Sequence, residues 1–334
     1  MSNGPRRPKP KVIAISNENP AWPESDKALA DKMLGMLTDG LRAEGYTFQA
    51  IKFFDDLSAL DPLDPREWLV WNWGEELGGQ SWTEAEVAAE VERRGFAYTG
   101  SPPEVFTFAQ NRFRVKERLR QAGLPTLPAR VFTDPARAGE WTQYPAIVKG
   151  ANQHASHGIS GASIVHSPEA LARRVVHLRE TYQDDALVEP FLEAREFHVA
   201  VWGNDDPQAL PPVEFDFSVF DDVRDRIYTY DWKFDRSSRG YLEIKMPCPA
   251  PQDKPHWRAR IEAVAVQAYK VIGLRDYGRF DVRMLGDEPQ ILDVNPNPDL
   301  DPTSVVLAGA QALGLDYGQM VDRIVEFASA RMPR

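Results

Sequence analysis

The segment with the clearest chemical potential is "YGRFDVRMLGDEPQILDVNPNPDLD", residues 277–301, in which Asp281, Asp293 and Asn295 interrupt apolar runs. Residues 286–289 have turn composition, so the flanking runs are predicted to be paired antiparallel strands. A register that keeps both apolar faces together brings the two acids close to each other. Neighbouring carboxylates need a cation or a shared proton. With the amide oxygen they form the hard oxygen set that Mg²⁺ accepts beside phosphate oxygens. We therefore predict a Mg²⁺-nucleotide site; an ordinary hairpin with a solvated polar face is the alternative.

The same alternation predicts which side chains of this hairpin enter the core. Phe280, Val282 and Met284 share one face of the first strand, and Arg279 lies with the acids on the other. On the second strand, Leu292 and Val294 are predicted to face the core.

A second segment, "AIVKGANQHASHGISGAS", has the composition of a phosphate-binding loop. Lys149 ends an apolar strand and is followed by small residues, including Ser156, that let backbone N–H groups approach phosphate oxygens. A mobile loop with a solvated lysine is the alternative. His154 and His157 in this loop raise the question of zinc, but no third ligand lies near them in the sequence.

Two further segments carry charged residues that suit a nucleotide. In "DALVEPFLEAREFHVAVWGN", Glu189 follows an apolar run and Glu196 opens the next strand, so both can face one cleft and accept from ribose hydroxyls. Two surface acids flanking a hairpin would be the simpler interpretation. In "RIYTYDWKFDRSSRGY", Lys233 lies in a stretch that could close over a phosphate or form an exposed edge strand.

Composition limits the class of protein. The 334 residues are 43% hydrophobic and 27% charged, which is typical of a globular chain of two or three domains. A net charge of -11 argues against nucleic-acid and anionic-membrane partners. The single cysteine excludes an intrachain disulfide and favours a cytoplasmic location. No run is long enough to span a membrane, and residues 1–10 are predicted to be a disordered tail.

The order of periodic segments predicts the architecture. Over about the first hundred residues strands alternate with amphipathic helices, which indicates an open α/β layer. Strands dominate afterwards, with helices packed against antiparallel sheets. The prediction places strands at 11–16, 47–54, 67–74 and 96–100, a helix ending at Gly123, later strands around Lys149, Glu189 and Glu196, and helices at 167–180 and 254–273.

Taken in order, these pieces resemble the ATP-grasp superfamily and, within it, the D-alanine-D-alanine ligase branch. The resemblance extends from residue 12 to about 315 and is strongest from Asn111 onward. It implies an ATP-grasp fold with an N-terminal α/β domain (11–104), a central lobe (105–193) and a C-terminal lobe with the metal site (194–334).

The resemblance also implies roles for individual residues. Lys116 and Lys149 match two lysines that bind nucleotide phosphates, and Lys233 matches a lysine of a flexible loop. The remaining matches are Glu189 and Glu196 around adenine and ribose, Ser156 in the phosphate loop, Asp281, Asp293 and Asn295 as metal ligands, Arg279 beside the reacting carboxylate, and Thr303 and Ser304 near the second substrate's carboxylate. Thr303 and Ser304 could instead cap a following helix.

This sequence departs from the family pattern at several positions. Asp293 replaces a glutamate that often bridges two metals, and Asp299 replaces a glycine that helps to hold an oxyanion. "WNWGEELGG" replaces the substrate-binding histidine motif. The N-terminal substrate motif is missing; Glu18, Glu24 or Ser25 are its possible substitutes.

These features predict an ATP- and Mg²⁺-dependent carboxylate-amine ligase that makes an amide or dipeptide from a small amino acid through an acyl phosphate, without the D-alanine specificity of the family. The resemblance implies a homodimer. A ligase for a larger amine, with Trp71 or Trp73 lining the cleft, is one alternative. A non-catalytic ATP-binding regulator is the other.

Overall fold

The structure is a computed structural model that describes residues 9–152, 156–229, 232–233, 235 and 237–334. Its first layer is a parallel three-stranded sheet in the order β2-β1-β3, as the alternating strands and helices predict. The elements are β1 (Lys11–Asn17), α1 (Glu24–Ala43), β2 (Phe48–Phe53), β3 (Trp68–Trp73) and α2 (Glu84–Arg93).

A second sheet is antiparallel and has the order β4-β7-β5-β6. One helix packs on it and begins where Ser167 caps the backbone N–H of Ala170 and proline occupies the first helical position. The elements are α3 (Pro103–Ala109), α4 (Arg112–Gln121), β4 (Arg130–Phe132), β5 (Ala146–Gly150), β6 (Ile164–Val165), α5 (Pro168–Tyr182) and β7 (Ala186–Pro190).

The third sheet is also antiparallel, with β10-β8-β11-β12 as its main order and β9 paired to β8. A long helix covers one face and ends at Gly273, whose φ of 84° is the left-handed conformation that glycine adopts freely. The elements are β8 (Glu196–Trp202), β9 (Gln208–Ala209), β10 (Val213–Phe215), α6 (Arg239–Glu243), α7 (Pro255–Ile272), β11 (Tyr277–Leu285) and β12 (Glu288–Asn295).

Two C-terminal helices, α8 (Val305–Ala312) and α9 (Tyr317–Ser329), return to the first layer. Their buried side chains share a core with β1 and α1, in which Val12, Leu37 and Ile324 are fully buried. The chain end thereby packs on its beginning. The sequence analysis considered only the first of them, as a helix that Thr303 and Ser304 could cap, and did not predict the second.

Three local predictions were wrong, and each has a structural reason. Residues 96–100 form a single bridge, Val70 to Tyr98, instead of a strand. The helix that ends before Gly123 is broken into α3 and α4 at Asn111. On β12 a bulge makes Asp281 pair with Asp293 but Val282 pair with Ile291, so Ile291 enters the core and Leu292 turns toward the cleft.

The described residues around Lys233 also rule out the edge-strand interpretation of that stretch. Residues 226–229 form no strand, and Trp232 and Lys233 are helical. Within the described parts of the chain, no helix is long and apolar enough to cross a membrane.

Candidate active site

A cleft of about 330 Å³ is lined by residues from both antiparallel sheets and from the first layer. Most of the site residues predicted from the sequence line it. They are Lys149, Ser156, Glu189, Glu196, Lys233, Arg279, Asp281, Asp293 and Asn295. Lys116, Thr303 and Ser304 do not line it.

The floor of the cleft carries a row of polar side chains across three strands. His198 on β8 pairs with Asp281 on β11, and Asp281 pairs with Asp293 on β12. Residues directly opposite each other in a sheet project from the same face, so the register puts both carboxylates side by side. The predicted approach of the two acids is thus present.

Each of these carboxylates is bound to an arginine. Arg279 donates from Nε and Nη2 to the two oxygens of Asp281, at 2.7 and 3.1 Å. Arg112 donates from Nε to Asp293 Oδ2 at 3.0 Å. Burial opposes the charge of Arg279, but Asp281 together with Asp299 and Asp293 outweighs burial and raises the guanidinium pKa. The mutual repulsion of the acids is therefore relieved by two fixed cations.

The donor set nevertheless has the chemistry of a Mg²⁺ site. Two carboxylates and the Asn295 amide oxygen, which accepts from the backbone N–H of Asn297 at 2.9 Å, are hard oxygen ligands. Within the described residues, no group of three or more His, Cys, Asp or Glu side chains is gathered around a common metal position. A Mg²⁺ ion here would thus depend on additional oxygens from phosphate or water.

Arg112 is a cleft residue that the sequence analysis missed. Asn111 caps α4 by accepting the backbone N–H of Arg114 at 2.9 Å, which sets Arg112 at the first position of the helix. From there it donates to Gly150 O at 2.8 Å as well as to Asp293, and only 4% of it is exposed. An asparagine followed by arginine at a helix start was the available signal, but the helix was predicted to be continuous.

Glu189 lies between two buried lysines. Lys116 Nζ is 2.6 Å from one carboxylate oxygen and Lys149 Nζ is 2.7 Å from the other. Burial alone would raise the pKa of Glu189, but the two ammonium groups outweigh it and hold the pKa below its ordinary value. Burial lowers the pKa of Lys116 despite its carboxylate partner. Two buried cations therefore share one counter-charge.

Glu196 forms a second buried network on β8. Arg283 Nε donates to Glu196 Oε2 at 2.8 Å, and His198 Nε2 lies 2.9 Å from Oε1. Burial would raise the pKa of Glu196, but Arg283 and His198 lower it to about 2. Glu196 is therefore ionised and acts only as an acceptor.

Two contacts join the loops over the cleft. Ser156 Oγ donates to Tyr228 O at 2.9 Å, and Lys233 Nζ lies 3.1 Å from Asp299 Oδ2. Burial opposes ionisation of Asp299, but Lys233 and Arg279 lower its pKa. The residue that replaces the family glycine is thus a charged partner of the loop lysine.

Acidic and aromatic side chains from the first layer complete the cleft wall. Glu75, Trp82 and Glu84 line it. Burial is the main cause that raises the pKa of each glutamate to about 7, and Asp299 adds to the shift at Glu75. Glu75 is exposed and lines the cleft, although the surrounding protein atoms still desolvate its carboxyl group.

The other predicted residues of the first layer lie elsewhere. Trp71 is fully buried in the core shared by β1 and α1, and Trp73 packs against that core, so neither lines the cleft. Glu18, Glu24 and Ser25 are exposed and are not part of the cleft wall.

Ser304 caps α8 by accepting the backbone N–H of Leu307 at 3.1 Å, and Thr303 is exposed and donates to Asp301.

The two histidines considered for zinc can be placed only in part. The rings of His157 and Trp82 pack edge to face, while His154 lies outside the described residues. Since the described chain offers no cluster of metal-binding side chains at His157, zinc there has no support.

The fold and the cleft define an ATP-dependent ligase. A family model described as "D-ala D-ala ligase C-terminus" matches residues 119–326, more than half of the chain. The chain belongs to this family. It is therefore an ADP-forming enzyme that uses ATP and Mg²⁺ to make a C–N bond between small molecules, as the resemblance predicts.

Similarity extends over most of the chain. D-alanine--D-alanine ligase from Marinomonas sp. is 28% identical over 305 residues, covering 90% of each chain. An uncharacterized protein of Sinorhizobium fredii is 28% identical over 275 residues, covering 81% of this chain and 77% of that one. The structure of D-alanine--D-alanine ligase from Bacillus anthracis complexed with ATP matches with a TM-score of 0.71 and 16% identity, covering 96% and 98% of the two chains. That match confirms the ATP-grasp fold.

Proposed function

We propose that the enzyme activates a small carboxylate with ATP and joins it to a cationic amine other than D-alanine. The observation that carries this proposal is the composition of one cleft. Arg112, Lys149, Lys233 and Arg279 supply cations for a triphosphate and a reacting carboxylate. Asp299 and, once ionised, Glu75 and Glu84 supply the opposite charge at the cleft wall.

The nucleotide is proposed to lie along β5 and β7. Lys149 and Arg112 would bind its phosphates. Ser156, in the loop that follows Lys149, and Lys233 would also face the phosphates. Glu189 and Glu196 would accept from ribose and adenine. Lys116 would act by holding Glu189, since it touches that carboxylate but does not line the cleft.

Asp281, Asp293 and Asn295 are proposed to hold Mg²⁺ against the phosphates. When bound, the ion would neutralise charge that develops on the transferring phosphoryl group. The protein's own residues supply position: Arg112 and Arg279 fix the two carboxylates in place before any ligand arrives.

The reaction proceeds in two transfers. A carboxylate oxygen of the first substrate attacks the γ-phosphorus, the bond to the β-phosphate oxygen breaks, and ADP leaves. The cationic amine first loses a proton, and its lone pair then attacks the acyl carbon. The nitrogen loses a second proton, and phosphate leaves from the tetrahedral intermediate. Arg279 is proposed as the guanidinium donor for the oxyanion of that intermediate, a role that typically lowers the barrier by about 3 kcal/mol.

The amine substrate is proposed to be positively charged because Glu75, Glu84 and Asp299 line one cleft. Where the family pattern has a glycine, Asp299 adds a carboxylate to the cleft wall. A larger amine-bearing metabolite is the second candidate. Trp82, in place of Trp71 or Trp73, would then contact its apolar part.

The test is ADP release from purified enzyme with Mg²⁺-ATP, pooled carboxylates and pooled amines of either charge. Turnover that requires one carboxylate and one cationic amine, and that is lost in Asp281→Asn, supports the proposal. An Asp287→Asn variant, on the exposed β11-β12 turn, is the matched control and should retain activity. Equal turnover with neutral amines would contradict the charge assignment.

Four further expectations from the sequence remain proposals. We propose a homodimer and a cytoplasmic location, the second supported by the single cysteine. We also propose domain boundaries near 104 and 193, which fall between the sheets. Thr303 and Ser304 remain proposed contacts of the second substrate's carboxylate.

A further inference from the structure

His198 is a cleft residue that no step above uses. It is 2% exposed and lines the cleft at the end of the row formed with Asp281 and Asp293. Its ring stacks on Phe215, with centroids 3.9 Å apart and planes inclined by 28°. The imidazole is therefore held in one orientation by packing.

The two nitrogens of this imidazole have different surroundings. Nε2 lies 2.9 Å from Glu196 Oε1. Since an ionised carboxylate can only accept, Nε2 carries a hydrogen. Nδ1 is buried without a hydrogen-bond partner and lies 3.5 Å from Asp281 Oδ1. In the neutral ring, Nδ1 presents a lone pair beside a carboxylate oxygen of the proposed metal site.

A histidine that donates one N–H to a carboxylate and presents its other nitrogen to a cavity has the arrangement of a metal ligand. Ligand atoms about 2.1 Å from one ion at tetrahedral or octahedral angles are about 3.0 to 3.4 Å apart, close to the observed separation of Nδ1 and Oδ1. A buried, unpartnered nitrogen is costly unless something binds it.

We propose that His198 Nδ1 is a ligand of the metal ion at Asp281, so that this site binds a transition-metal ion such as Mn²⁺ more tightly than Mg²⁺. The inference deepens the proposed function and rests on its metal site. Imidazole suits transition metals, whereas Mg²⁺ prefers oxygen. Glu196 is then the orienting partner of a metal ligand as well as a candidate acceptor for the nucleotide.

The decisive experiment is electron spin echo spectroscopy of Mn²⁺ bound to the full chain with unlabelled ADP. Protein grown with ¹⁵N-histidine is compared with unlabelled protein. A nitrogen modulation that changes from ¹⁴N to ¹⁵N identifies a histidine ligand and excludes the adenine nitrogens. This comparison needs no variant, so it does not depend on whether a substitution at a buried position folds.

Variants then assign the nitrogen. His198→Gln is expected to abolish the histidine modulation and to weaken Mn²⁺ binding about tenfold or more, with a smaller change for Mg²⁺. His256→Asn is the matched control, because that exposed histidine pairs with the exposed Asp287, does not line the cleft, and should change neither readout.

The outcomes separate the inference from the proposed function. Mn²⁺ that binds with ADP but shows no histidine modulation overturns the role of His198 and leaves the oxygen site intact. A nitrogen signal that persists in a folded His198→Gln variant also overturns it. Failure of both Mn²⁺ and Mg²⁺ to bind in the presence of ADP overturns the proposed metal site itself.

Discussion

The shared counter-charge at Glu189 leads to an asymmetric prediction. The side chains of Glu189, Lys116 and Lys149 are only 2%, 5% and 7% exposed, so water screens their charges little. Glu189→Gln leaves two buried ammonium groups without that carboxylate. Removing one partner of a buried ion pair typically costs about 3 to 5 kcal/mol. Lys116→Met instead leaves one lysine opposite one glutamate, and replacing a surplus buried charge by an apolar side chain should cost no more than about 1 kcal/mol.

Hydrogen exchange of the β5 and β7 amides is the assay, because it reports local opening of the strands that carry Lys149 and Glu189. In Glu189→Gln, a loss of about 3 kcal/mol corresponds to exchange roughly 100-fold faster. Glu193→Gln is the matched control. Glu193 forms an exposed pair with Arg226, and such pairs contribute less than about 1 kcal/mol.

The reasoning is refuted by either of two results. Exchange in Glu189→Gln that is no faster than in Glu193→Gln would show that the lysines do not depend on the carboxylate. A Lys116→Met variant that is as unstable as Glu189→Gln would show that the network is balanced and that Lys116 is not surplus.

Three further variants test the cleft. Arg112→Met should raise the KM for ATP about 10- to 100-fold, the effect of losing a charge-assisted hydrogen bond, and an unchanged KM would remove Arg112 from the phosphate site. Asp299→Asn frees Lys233 from a half-exposed pair, so the KM for ATP should fall by at most about fivefold; an increase would contradict competition. The thermal stability of the Glu75→Gln/Glu84→Gln double variant, relative to the parent enzyme, should increase as pH rises from about 5 to about 8. Because the pKa of each acid is raised to about 7 in the folded chain, the parent enzyme is destabilised as these acids ionise with rising pH, and the variant is not. A relative stability that does not change with pH would refute it.

The parts of the fold that follow from periodicity were predictable. The parallel first layer and the antiparallel hairpin at Asp281 and Asp293 both agree with the structure, because alternation and turn composition are local signals. The bulge at Leu292 was not predictable. One extra residue in a strand changes which side chains face the core. The pattern of apolar and polar residue types along the sequence, from which the prediction was made, does not reveal it.

The candidate site was predictable where a charge stands alone in an apolar run, as at Lys149 or Glu189. It was not predictable where function depends on a break in secondary structure. Arg112 lies in a helix whose arginines otherwise look alike, and only the cap at Asn111 makes it the one that reaches Asp293. The tryptophans of "WNWG" show the opposite error, since Trp71 was considered for the cleft and is in the core.

The arginines also explain why the acids at the cleft floor are tolerated at all. Asp281 and Asp293 are paired on neighbouring strands and would repel each other. Each carboxylate is instead neutralised by one guanidinium group, that of Arg279 or that of Arg112. A cation that enters must therefore compete with Arg279 and Arg112 for these carboxylates. Phosphate oxygens resolve that competition, because they bind both the cation and the displaced guanidinium groups. The two arginine–carboxylate pairs therefore favour joint binding of the metal and the nucleotide over binding of the metal alone.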